Sequence, residues 1–83
     1  MGKSLAERTR GIINDVKISI INLRDIGFPI ATTEGIKRLR DLKNKAGEVY
    51  DYETSKFFDR KNIGYIELRS ELLRECKNFG ISY

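Results

Sequence analysis

Val16-Lys17-Ile18-Ser19-Ile20 decides the fold, because it can be read in two ways. Its apolar residues alternate with period two and are β-branched, which is the pattern of a half-buried strand. Over a wider window the apolar positions Leu5, Ile12, Ile13, Val16, Ile20 and Leu23 recur at helical spacing, and one face of a helix accounts for all of them. The wider period favours the helix. Upstream, Ser4-Leu5-Ala6-Glu7 has the form of a capping box, and downstream Asp25-Ile26-Gly27 followed by Pro29 reads as a stop. A first helix is expected over 5–26.

Working outward, Gly27-Phe28-Pro29-Ile30-Ala31 reads as a connection whose Phe28 and Ile30 fold back on the core, with Thr32 or Thr33 capping a second helix. The buried face of that helix is written by Ile36, Leu39, Leu42, Ala46, Val49 and Tyr50. Glu53 falls inside the same stripe, and burying an unpaired carboxylate is expensive. A break is therefore expected near Asp51 to Ser55, with Phe57 and Phe58 in a short helical turn that closes one end of the core. In the last segment Tyr65, Leu68, Leu72, Leu73, Cys76 and Phe79 share a face, and Gly80 follows as a C-terminal stop. Leu39, Leu68 and Leu72 are expected in one core. The fold class is mainly α, a small three-helix bundle forming a single domain over 1–83.

Composition narrows the functions open to such a chain. At 83 residues, with 40% apolar and 34% charged residues, it is too apolar for a disordered tail and too short for two domains. Cys76 is the one cysteine, at core spacing, so no internal disulfide can form. There is no histidine, which removes Ser–His–Asp and Cys–His nucleophile sets and the usual zinc ligand sets. The scattered glycines draw no phosphate-binding loop. No enzymatic activity, metal or cofactor is expected. No apolar run is long enough to span a bilayer, and Ala6 stands where a myristoylation signal would place Ser or Thr. A cytoplasmic protein without a membrane partner is expected.

Charge is the remaining signal. Residues 1–45 hold ten Lys/Arg and five Asp/Glu, a net +5, whereas residues 46–83 hold six and seven, a net −1. The densest basic run is Lys37, Arg38, Arg40, Lys43 and Lys45 on the second helix, with Arg8 and Arg10 on the first as supports. Such a set suits phosphate neutralisation by a non-catalytic regulator of DNA or RNA. As a solvated face, the same run would form i, i+4 pairs from Glu34 to Arg38 and from Asp41 to Lys45. Helix-turn-helix base readout fits poorly: with Gly64 as the turn glycine, Ser70 occupies a position that should be apolar.

The alternative is a protein-binding inhibitor or adaptor working through Tyr50, Tyr52 and Phe57, since tyrosine is enriched at interfaces. The uneven charge also suits an acidic partner or a second copy of the chain. The row Glu67, Glu71 and Glu75 reads as a solvated face rather than a metal site.

Overall fold

A computed structural model describes residues 4–26 and 29–81. They form three helices, α1 (Leu5–Ile26), α2 (Pro29–Glu53) and α3 (Ile63–Asn78). The ambiguous stretch 16–20 is helical, with Val16 and Ile20 buried beside Ile12 and with Lys17 and Ile18 exposed. The 3.6-residue period wins because one stripe buries against α2, whereas a strand would have found no second strand to pair with. Ser4 caps α1, its hydroxyl oxygen accepting the Glu7 N–H at 3.2 Å.

α2 begins earlier than Thr32 or Thr33, at Pro29, whose fixed φ and missing N–H suit a first helical position. Both threonines therefore lie inside the helix. Gly27, Phe28 and the side chain of Ile30 lie outside the described residues. α2 has no internal break. Residues 51–55 contain its end instead, and the segment that follows is a turn rather than helix, with Phe58 packed on the core and Phe57 78% exposed.

The helices run antiparallel in sequence order, α1 packing along α2 and α3 packing on the C-terminal part of α2, with α3 meeting α1 through side chains such as Arg69 and Thr9. The register of α1 on α2 is marked at both ends. Thr9 meets Glu53 at one, and at the other Leu23 Cδ1 stands 3.0 Å from where a Cβ on Gly35 would lie. The shared core holds Ile12, Val16, Leu39, Leu42, Ala46, Val49, Leu72 and Cys76, with Leu68 and Leu73 partly buried against it. At 1.5 Å per residue the 25 residues of α2 span about 37 Å and the 16 of α3 about 24 Å. The far end of the α1–α2 hairpin therefore projects beyond α3; on the outer side of α1, Ile18 and Ile21 are exposed.

α3 starts on Asn62, whose side-chain oxygen accepts the Tyr65 N–H at 3.0 Å. It ends in a Schellman motif: Ile81 N–H donates to the Cys76 carbonyl at 2.9 Å and Gly80 N–H to that of Lys77 at 3.1 Å. Gly80 takes φ +70, and the turn drives Ile81 into the core in place of Phe79, which is 39% exposed. Gly80→Ala would place a Cβ in the left-handed region and should cost about 1–2 kcal/mol, read as a lower denaturation midpoint with unchanged slope.

Candidate functional site

Glu53 occupies the core stripe as its spacing requires, and it is 8% exposed. Groups from the other two helices compensate its charge. The Thr9 hydroxyl of α1 donates to Oε1, the Tyr65 hydroxyl of α3 donates to Oε2, and Arg69 Nη1 donates to Oε2 at 3.1 Å and to Thr9 Oγ1 at 3.1 Å. Every buried side-chain nitrogen and oxygen among the described residues has a hydrogen-bond partner. The sequence expectation failed here because the compensating groups lie 44, 12 and 16 residues away. Tyr52, Phe58 and Tyr65 pack beside this cluster, Phe58 edge-to-face on both tyrosines, with ring centroids 5.2–5.5 Å apart.

Burial first, then the hydrogen bond to Glu53, pushes the Tyr65 phenol up to about 12. A phenol raised in the folded state contributes stability that is whole below its unfolded pKa, about 10, and is lost as pH climbs through 12. Tyr65→Phe should therefore flatten the alkaline fall in stability between those values. Cys76, whose thiol burial pushes up to about 11, adds its own loss in part of that window and survives the substitution. The thiol is fully buried, which makes it a core residue and a poor nucleophile.

The structure divides the basic residues into three groups. Lys45 turns to α3 and pairs with Glu75 at 3.0 Å and Glu71 at 3.6 Å. The hydrogen bond to Glu75 chiefly raises its pKa, against some desolvation. Two members of the acidic row, Glu71 and Glu75, are thus ion-paired while their side chains stay 57% and 42% exposed. The i, i+4 pairs Glu34–Arg38 and Asp41–Lys45 do not form: among the described residues the ion pairs are those of Lys45 and of Arg69 with Glu53. Arg38 lies on the α3 flank as well, sharing a shallow cleft with Asp41, Glu75, Asn78 and Phe79.

Arg8 sits at the other end of the bundle, beside Arg60. It is far from the α2 run, because Thr9 pairs with Glu53, thirteen residues or about 20 Å along the helix from Arg40.

The third group is the coherent one. On α1, Arg8 and Asp15 lie on the flank that faces α3, Arg8 through its cleft with Arg60 and Asp15 through its electrostatic effect on Cys76. At 3.6 residues per turn Arg10 and Lys17 fall on the opposite flank. On α2, with Lys45 and Arg38 toward α3, the same spacing puts Arg40 and Lys43 on the opposite flank, which adjoins that of Arg10 and Lys17. The register sets Lys17 across from residues 41–45. Lys37 stands on the outer face beside them. Arg10, Lys17, Lys37 and Arg40 are exposed and Lys43 is partly buried at the seam, and none of the five is ion-paired. Lys17 was missed from sequence, because an isolated lysine on α1 gains significance only once α2 is laid beside it.

Of the three aromatic candidates, Tyr52 is turned inward, its hydroxyl accepting the Asp59 N–H at 3.1 Å, and Tyr50 is partly buried. Phe57 alone projects, with the Lys56 ammonium 5.7 Å from its ring centroid. No group of His, Cys, Asp or Glu among the described residues could hold a metal ion, and no helix is long and apolar enough to cross a membrane. No family model, curated protein or solved structure matches the chain.

Proposed function

We propose that this three-helix bundle is a small non-catalytic regulator that binds nucleic acid in the cytoplasm, through the two-helix face made by Arg10, Lys17, Lys37, Arg40 and Lys43. The observation that carries the reading is the sorting of charge. Lys45 is neutralised by the acidic residues of α3, while Arg10, Lys17, Lys37, Arg40 and Lys43, gathered from two helices, take part in no ion pair. Like charges held together in this way gain when phosphates replace their counterions. A single buried thiol and no disulfide suit a reducing compartment.

Contacts of this kind position a protein on a backbone without reading bases. Neutralising about 4–5 phosphates should give a log-affinity slope against log salt of about −4 on duplex DNA. Replacing Lys17, Arg40 and Lys43 together with Gln should flatten that slope by about 2–3 and weaken all sequences alike. Lys45→Gln should leave it nearly unchanged, because that charge is already paired. Absence of binding to duplex and single-stranded probes at low salt, or an unchanged slope in the triple variant, would overturn the proposal.

One observation favours a second reading, an adaptor or inhibitor of a larger protein. Phe57 and Ile63 project at the α2–α3 turn with 78% and 74% exposure, as interface anchors do. Affinity capture with and without nuclease separates the two, because only a nucleic-acid-mediated catch is lost on digestion.

A further inference from the structure

The end of the bundle opposite the hairpin tip contains an open cleft of about 510 Å³, bordered by Ser4, Leu5, Arg8, Glu53, Phe58 and Arg60. Arg8 comes from the first turns of α1 and Arg60 from the turn before α3, so folding brings two arginines 52 residues apart in sequence onto one cleft. Neither is ion-paired. The acid adjacent to Arg60 is engaged elsewhere, Asp59 Oδ1 accepting the Lys61 N–H at 3.0 Å within its own turn. Glu53 borders the cleft from behind, but its charge is met by Arg69 and its oxygens by the Thr9 and Tyr65 hydroxyls. What the cleft offers a ligand is therefore two uncompensated arginines over an apolar floor of Leu5 and Phe58. Each guanidinium fork matches two oxygens of one anion.

We infer that this cleft is a phosphate-binding site, with Arg8 and Arg60 taking the oxygens of a phosphate group against the apolar floor of Leu5 and Phe58. A dianion satisfies both arginines at once, whereas a carboxylate leaves one of them uncompensated. The group can belong to a free small phosphate compound or to the terminal phosphate of a nucleic-acid strand. The site is separate from the α1–α2 basic face and does not depend on the role proposed for that face.

The test is an amide-resolved NMR titration with inorganic phosphate at constant ionic strength. Saturable shifts are expected at Leu5, Ala6, Phe58 and Arg60. Arg8→Gln and Arg60→Gln should each raise the midpoint by about tenfold, the loss expected for one charge-assisted contact. Arg60→Lys keeps the charge but not the fork, and should fall between Arg60→Gln and the wild type. The Lys17, Arg40 and Lys43 triple variant should bind phosphate like the wild type, so failure of the nucleic-acid reading and failure of this one are distinguishable. Short oligonucleotides with and without a 5′-phosphate identify the source: a preference for the phosphorylated end points to a strand terminus, and equal response to a free phosphate compound. Shifts that grow without saturation, equal shifts with acetate, or shifts that persist in the double Arg8→Gln, Arg60→Gln variant would overturn the assignment. Both side chains are exposed, so the variants should keep the wild-type melting curve.

Discussion

Arg69→Met is expected to be among the most damaging single substitutions in the chain, costing about 3–5 kcal/mol, because it leaves the Glu53 carboxylate buried without a counter-charge. The Glu53 side chain is 0% exposed and that of Arg69 15%, so the carboxylate is already withdrawn from water when its partner is lost. An 83-residue domain has about 4–12 kcal/mol in total. The substitution therefore removes about a quarter or more of the stability and lowers the melting temperature by at least about 12 °C, taking about 4 °C per kcal/mol as the lower bound. Glu53→Gln should cost less, because the amide oxygen still accepts from Tyr65 or Thr9 and the less buried Arg69 can reach solvent. Replacing both charges with apolar groups, Glu53→Leu with Arg69→Met, should recover much of the loss. Urea denaturation of the three variants checks the order. A stability for Arg69→Met within about 1 kcal/mol of wild type, the range of an exposed pair, would show that the pair is not isolated from solvent as described.

Leu72→Ala is the second large effect. Leu72 is 0% exposed on the face of α3 that meets α2, and truncating such a residue removes its transfer energy and leaves a cavity, about 2–5 kcal/mol together. Leu39→Ala, at 2% exposure on α2, should fall in the same range. Leu68, only partly buried against this core, should cost less than either. Equal losses at Leu68 and Leu72 would mean that α3 is rotated on α2 relative to the packing described. The measurement is the denaturation midpoint at constant slope, which separates stability from a change in the surface exposed on unfolding.

The helices themselves were legible in the sequence for a local reason. α1 and the core of α3 follow from apolar residues repeating every three or four positions, and Ser4 and Gly80 act on backbone groups within a few residues of themselves. Such signals need no knowledge of the rest of the chain. The period-two alternation at 16–20 misled only within a five-residue window, since the stripe containing Ile12, Val16 and Ile20 is longer than any strand there could be.

Glu53 marks where that reasoning stopped. Its position in the stripe of α2 was correctly read, but the inferred break assumed that nothing could pay for a buried carboxylate. Whether a buried charge is tolerable depends on which donors converge on it, and Thr9, Tyr65 and Arg69 converge only when three helices have chosen their register. The same limit governed the charges. The sequence determined how many cations the chain carries and which half holds them. Only tertiary structure decided that Lys45 pairs with Glu75 and Glu71, that Lys17 joins Arg40 and Lys43 across a helix seam, and that Arg8 and Arg60 line one cleft at the far end, because electrostatic partnership falls off with distance in space and is blind to distance along the chain.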